Sequence, residues 1–436
     1  MLETHPKTLA RRAALRALVR NERDEPSPPD FAALDASVRP FAREIYSNVL
    51  RHRARIDWSL APLLQKPMAK LDEAVRAALR LALYEKVALR TPDRALANEY
   101  AGLMRGEKLG SATGFVNAIA RRLPAVWREA AGNEIERLCI EKSHPQWIVE
   151  RYVARFGEVE TEDILRANNC VAPSCLRANT LKISRDELLS QIEGARAGKW
   201  SSDALILERG DATALSQWNR GEIIAQDEAA QLVSLLAAPK SGDFVIDCAA
   251  APGGKTTHLA QIMGDKGRIL ALDSAPPRLQ MVRDNAARLG ISSIETRAGD
   301  LRILGRELAA WSAHADLVCL DAPCLGTGTW RRRPDAKWRK TRAQLDELVI
   351  LQAEMLDAAA LLVKPGGALI YSTCSLEIEE NDAQIEAFLA RFPAFATEKA
   401  PETLAGAATP QGWLQTFPHR HGVDGMFAAK LRRSSE

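Results

Sequence analysis

Residues 243–263 read DFVIDCAAAPGGKTTHLAQIM, and how this stretch is read decides the fold. An apolar run closes on Asp247, the segment KTTHLAQIM carries helical spacing, and Pro252, Gly253 and Gly254 join the two. Glycines in a strand-to-helix turn let backbone N–H groups approach a ligand and set the helix N-terminus against it. Two phosphate-binding fingerprints are excluded by the same residues. A GxxxxGK[ST] loop ending at Thr256 would need glycine at 249, which is alanine, and GxGxxG is missing.

Outward from this turn the chain alternates regularly. RILALD, IETRAGD, ADLVCLDAP and GALIYSTCS read as strands, with helices at PRLQMVRDNAARLG and around 343–362. Apolar strands alternating with helices predict a doubly wound parallel sheet over 241–436, an α/β Rossmann-like domain. GWLQTFP and GMFAAKLRR are expected to form an antiparallel edge. Ligands of such sheets gather outside the carboxyl ends of the strands. Those ends hold Asp247 through Lys255, Asp273, Asp300, Asp321 to Cys324, and Thr373 to Ser375. Asp273, twenty residues beyond Gly253, is placed to reach ribose hydroxyls, and Asp300 to accept from an adenine amino group. With the turn Ala249, Ala250, Ala251, Pro252, Gly253, Gly254 and Lys255, and with Asp321, they suit S-adenosylmethionine better than a nucleotide phosphate.

A methyl donor at these strand ends gives the thiols of DAPC and YSTCS a meaning. An amine acceptor needs only a base, but C5 of a pyrimidine lacks an available lone pair. Adding a thiolate to C6 makes C5 nucleophilic, and a cysteine beside the cofactor is what that reaction requires. Cys248 and Cys319, inside strands, read as small buried hydrophobes.

DCAAAPGGKT, DAPCLGTG and YSTCS, in this order, resemble the RNA cytosine-5 methyltransferases of the Sun/NOL1/NOP2 family. IIAQDEAAQLV (223–233), RRRPDAKW (331–338) and DGMFAAKL (424–431) are similar to further signatures of that family. The resemblance implies a class I methyltransferase domain, with Cys374 as nucleophile on C6 and Cys324 in product release. It places Asp321 and Lys255 at the target base. DNA cytosine-5 methyltransferases would instead use the thiol of DAPC, and a non-catalytic RNA-binding factor would need neither.

The front of the chain differs in kind. Residues 1–140 hold 24 Lys and Arg against 17 Asp and Glu, the rest of the 436 residues 35 against 39. A basic front on a near-neutral body points to a polyanionic partner. Helical periodicity runs through 8–20, 35–50, 68–90, 92–105 and 113–122, with a Pro-rich stretch at 26–29, so 1–140 reads as all-helical. RALANEYAGLMRGEKLGSATGFVNAIARRL (94–123) resembles the NusB family, which implies an RNA-binding domain. Residues 141–240 read as a small α+β domain: a helix at 144–157 ended by Gly157, a helix at 184–193, and strands at 174–181, 204–209 and 221–226. It is similar to the family's RRM-like segment. A NusB-like domain before a Sun-type core implies small-subunit ribosomal RNA as substrate, acted on by a monomer.

TWRRRPDAKWRKTR (329–342) interleaves tryptophan with basic residues, so Arg331, Arg332, Arg333, Lys337 and Trp338 are candidates for RNA phosphates and splayed bases. The seven cysteines form no CxxC pair, so neither a disulfide framework nor a zinc site is indicated, and no metal is expected. No run of 18 apolar residues exists and the first twenty residues lack a continuous apolar core, so a cytoplasmic protein without membrane contact is expected.

Overall fold

The computed structural model describes residues 5–23, 31–208, 210–304 and 313–435. The Pro-rich stretch at 26–29 and Arg209 lie outside them. Contacts divide the chain into two compact units: Met1–Cys170 with Arg332–Lys340, and Val171–Arg331 with Thr341–Glu436.

The first unit is helical. Pro6–Glu22, Arg39–Arg51, Arg53–Leu60, Glu73–Ala88, Asp93–Gly106 and Thr113–Ala120 pack around Leu15, Ile45, Leu79, Leu83, Leu96 and Tyr100. The helix expected from 68 starts at Glu73, because the Asp72 side chain accepts from the Ala74 N–H and caps it. One ion pair lies inside this core. The Arg11 guanidinium donates twice to Glu85, at 2.8 and 2.7 Å, and the Tyr100 hydroxyl donates to the same carboxylate at 2.5 Å. Buried charges persist where hydrogen bonds satisfy them in this way. Gln146–Asn169 is helical on both sides of a break at Gly157, whose φ of 75° and ψ of 172° leave helical geometry where the first helix was expected to end. A second helix follows directly and buries Thr161, Ile164 and Leu165.

Residues 332–340 belong to this unit. The Trp338 indole N–H donates to the Leu50 carbonyl at 2.6 Å, and Lys337 Nζ to the Arg51 carbonyl at 3.1 Å and to Asn169 Oδ1 at 3.0 Å.

The second unit carries two sheets. Strands β1 (Ser174–Ala178), β2 (Ala195–Ala197), β3 (Ala204–Leu207) and β4 (Ile223–Ala225) form an antiparallel sheet in the order β2-β3-β1-β4. Leu176, Ala178, Leu205 and Leu207 bury one face against the helix Arg185–Gln191 and its surroundings. Alternation sends Cys175 and Arg177 to the other face, where Cys175 packs with Ala204 and Ile206.

The large sheet contains β5 (Phe244–Asp247), β6 (Arg268–Asp273), β7 (Ile294–Ala298), β8 (Ala315–Asp321), β9 (Val363–Thr373), β10 (Phe395–Glu398), β11 (Leu414–Gln415) and β12 (Phe427–Arg433). Its order is β10-β12-β9-β8-β5-β6-β7, with β11 on β12. β5 to β9 are parallel, as alternation predicts, and β12 is antiparallel to β9. The expected edge is corrected in one respect: β12 is interior, and β10 is the outer strand. Five residues of β12 are buried, Phe427 to Leu431, which suits a strand covered on both faces.

Candidate active site

The carboxyl ends of β5, β6, β8 and β9 converge on a cavity of about 410 Å³ whose lining includes Ala249, Asp273, Asp300, Asp321, Cys324 and Cys374. The turn after β5 forms its floor. Gly253 has φ 99°, and a Cβ there would meet Val282 Cα at 3.2 Å, so only glycine lets the turn lie this close to its neighbouring helix. The helix Gly254–Ile262 starts directly from it.

Asp273, 4 % exposed, accepts from the Ala251 N–H at 3.2 Å and the Ala275 N–H at 3.0 Å, bracing the turn from the side. Asp300 also lines the cavity. Arg302 donates to both its oxygens, at 3.1 and 2.7 Å, and this bond holds the Asp300 carboxyl below its ordinary value. Ala250 and Pro252 complete the turn, with a cis peptide between Ala251 and Pro252.

Lys255 reaches across from the turn to β8, where its Nζ donates to Asp321 Oδ2 at 2.7 Å. The Ser372 hydroxyl of β9 donates to Asp321 Oδ1 at 2.9 Å. Burial alone would lower Lys255, but the Asp321 carboxylate outweighs it and the ammonium is held above its ordinary value. Deeper in, Asp247 accepts from the Thr256 hydroxyl at 2.7 Å, and burial pushes its carboxyl up to about 6.

The two thiols meet at the mouth of β8 and β9, with sulfurs 3.4 Å apart. The hydrogen bond to Cys374, then burial and the surrounding negative charge, push the Cys324 thiol well up, so Cys324 keeps its proton at neutral pH. Cys248 and Cys319 lie buried within the sheet's two cores.

Residues that sequence reasoning passed over hold these groups. Glu380 Oε1 accepts from the Leu325 N–H at 2.9 Å and from Gln352 Nε2 at 2.9 Å, and Gln352 Nε2 also donates to the Pro323 carbonyl at 2.8 Å. Both peptide groups flanking Cys324 are thereby clamped. Beside Cys374, the Thr373 hydroxyl bonds Asn381 Oδ1 at 2.6 Å, and Asn381 Nδ2 donates to the Ser375 carbonyl at 2.9 Å. The Gly328 N–H donates to the Cys374 carbonyl at 3.0 Å, and a Cβ on Gly328 would stand 2.3 Å from the Gly425 carbonyl. That close backbone contact explains the glycine of DGMFAAKL. The acidic run EIEEND was the only signal for Glu380.

Arg177 lies behind the glycine turn. Fully buried on β1, it donates to the Gly254 carbonyl at 2.7 Å, to Thr257 Oγ1 at 3.0 Å and to Gln261 Oε1 at 3.3 Å, and bonds Gln226 Oε1 as well. Burial with little compensation from Asp203 lowers the guanidinium to about 9. The QDEAAQ run serves this junction too: Glu228 Oε1 accepts from the Ser201 N–H at 2.7 Å, and Gln231 Oε1 from the Ser201 hydroxyl at 2.7 Å.

The candidate RNA residues are scattered. Arg331, 6 % exposed, donates to Asp424 at 2.5 Å, to the Gly422 carbonyl at 2.9 Å and to Asp227 at 3.4 Å. Lys337, 1 % exposed, spends its donors in the helical unit. The expectation that these two contact phosphate is corrected, because buried cations with internal acceptors present no charge to solvent. Trp338 is half-buried there, Arg332 is half-buried, and Arg333 is exposed and pairs with Asp335 at 3.2 Å. Among the described residues no group of His, Cys, Asp and Glu could hold a metal ion, and no helix is long and apolar enough to cross a membrane.

A parallel sheet extended by antiparallel β12, a glycine turn after β5 and acidic ends on β6 and β8 define a methyltransferase domain that uses S-adenosylmethionine. Comparison with known proteins narrows the class. Residues 234–432 match the model of the 16S rRNA methyltransferase RsmB/F family, 8–124 the NusB family, and 144–213 the ferredoxin-like domain of RsmF/B-like methyltransferases. The chain is 34 % identical to the probable ribosomal RNA small subunit methyltransferase B of Bacillus subtilis (strain 168), covering 98 % of this chain and 99 % of that one. It is 34 % identical to ribosomal RNA small subunit methyltransferase B of Sodalis glossinidius, over 94 % and 93 % of the two chains. The crystal structure of PH0851 superimposes with a TM-score of 0.85 at 30 % identity, over 98 % of this chain and 99 % of that one. The chain belongs to the RsmB/F family of 16S rRNA methyltransferases, S-adenosylmethionine-dependent enzymes.

Proposed function

We propose that this protein methylates C5 of a cytosine in small-subunit ribosomal RNA through a covalent bond between Cys374 and C6. The observation that carries the reading is the pair of sulfurs 3.4 Å apart, both lining one cavity together with Asp321, the carboxylate that Lys255 holds. The cavity fits the cofactor: Asp273 and Asp300 line the wall, and Ala249, Ala251 and Asp321 complete it. S-adenosylmethionine supplies the methyl group there.

Target chemistry falls to the chain's own residues. The Cys374 sulfur bonds C6, and the electron pair of the C5=C6 bond moves to C5, which becomes nucleophilic. Asp321, held by Lys255 and Ser372, faces the N3/N4 edge of the base and stabilises charge developing on the ring. Once C5 carries the methyl group, a water molecule takes the C5 proton, and the C–H electron pair re-forms the C5=C6 bond and expels the Cys374 sulfur. Cys324 gives its proton to the departing thiolate and regains one from water, which completes release. Bringing the base into the pocket requires unstacking it, at a cost of a few kcal/mol in duplex and less in a loop.

In this reading residues 1–140 and 141–240 deliver RNA to the catalytic domain 241–436, Arg332, Arg333 and Trp338 stay as candidate RNA contacts, and the enzyme works in the cytoplasm as a monomer without metal. The test maps the modified base in a strain lacking the gene. Wild-type protein restores one 5-methylcytidine in small-subunit rRNA and Cys374→Ala does not. Restoration by Cys374→Ala would refute the covalent route.

A further inference from the structure

A second cavity, of about 540 Å³, lies within the helical unit, and its lining includes Glu22, Arg53, Asp57, Arg76, Arg80 and Trp338. Its charges do not balance. Arg80 donates to both oxygens of Asp57, at 2.7 and 2.8 Å, and it also closes on Glu22, which Arg76 contacts at 2.6 Å. Arg339, also on the lining, is spent on Asp335 at 3.0 Å. Arg53 is left over. Its guanidinium stands over the Trp338 ring, 5.2 Å from the centroid, and among the described residues no carboxylate or carbonyl accepts from it. Burial, then the neighbouring Arg80 charge, pull it below its ordinary value. A half-buried cation over an indole, beside two further guanidiniums whose carboxylates are already shared, is an arrangement that an incoming anion would relieve.

We propose that this cavity binds a phosphodiester of the substrate RNA, with Arg53 as the direct donor and Arg76 and Arg80 as the positive field behind it. The volume lies within the range of about 300–1,000 Å³ that small-ligand sites occupy. Apart from Trp338 and Arg339, the site lies in the stretch matching the NusB family and in the part of the chain with the basic surplus. RNA is favoured over other anions because the family acts on rRNA. The inference rests on the substrate reading above.

Binding of a 16S rRNA transcript is measured over a salt series for wild type, Arg53→Ala and Arg16→Ala, the last an exposed cation of the same unit paired with Glu107. Each phosphate neutralised contributes about 0.7–0.9 to the slope of log K against log salt. Arg53→Ala is expected to lose about one such increment and roughly tenfold in affinity at low salt. Arg16→Ala keeps the slope. Arg53→Ala should melt close to wild type, since it removes no hydrogen bond and the attraction of Asp57, Glu22 and the Trp338 ring is offset by burial and by the charges of Arg80 and Arg76. An unchanged slope in Arg53→Ala while wild type binds overturns the assignment, as does a fall in melting temperature with binding intact. If wild type fails to bind the transcript at all, the substrate reading fails and this site with it.

Discussion

The sulfurs of Cys324 and Cys374 lie 3.4 Å apart across 50 residues of chain, one at the end of β8 and the other at the end of β9. β8 and β9 are adjacent parallel strands, with Asp321 opposite Ser372, so their carboxyl ends bring the two thiols together. The proposed mechanism gives them separate roles. Cys324 →Ala is therefore expected to accumulate an SDS-stable protein–RNA adduct in the presence of S-adenosylmethionine, whereas Cys374→Ala forms none. Gel mobility of protein incubated with labelled transcript reads the result.

The clamp on Cys324 should be needed for the same step. Glu380→Ala removes the acceptor for the Leu325 N–H and loosens Gln352, while Glu380→Gln keeps an acceptor oxygen. Adduct should build up in Glu380→Ala and clear in Glu380→Gln. Equal clearance in both would show that the clamp is dispensable.

Lys255→Met and Asp321→Asn each dismantle the bridge that the proposed mechanism sets against the target base. Loss of an oriented electrostatic group of this kind lowers kcat by roughly two to three orders of magnitude. Single-turnover methyl transfer measures it, with calorimetric titration of S-adenosylmethionine separating a cofactor-binding defect from a chemical one.

Arg177 connects β1 to the glycine turn that the proposed function gives to the cofactor. Arg177→Met leaves the Gly254 carbonyl and Gln226 without their donor, and one such hydrogen bond corresponds to roughly 1.4 kcal/mol, or about tenfold in affinity. Titration calorimetry should show weaker S-adenosylmethionine binding, with the KM for RNA nearly unchanged. An unaltered cofactor Kd in the folded variant would contradict this.

Asp247 makes stability depend on pH. Its folded carboxyl sits at about 6 against an ordinary 3.8, so the fold favours the protonated form. That contribution is present below 3.8 and is lost as pH rises through about 6. Asp247→Asn keeps an oxygen for the Thr256 hydroxyl and removes the charge. It should melt higher than wild type at neutral pH, by an amount on the order of 1–3 kcal/mol, with the gap closing towards pH 4. Thermal melts of both proteins across that window check the sign.

Much of the molecule was legible in its sequence because its signals are local. The alternation of apolar strands with helices, the glycine turn at 252–254 and the acidic strand ends each follow from residues near one another in the chain, and strand polarity alone places them at one edge of a parallel sheet. Tertiary structure decided what depends on partners far apart. The interior place of β12 and the burial of Arg331 and Lys337 turn on neighbours that no local pattern reveals. So do the bonds of Glu380 to Leu325 and of Arg177 to Gly254. A charged side chain reads the same in sequence whether it meets solvent or an internal acceptor, and the difference is set by desolvation, which exists only once the chain has folded.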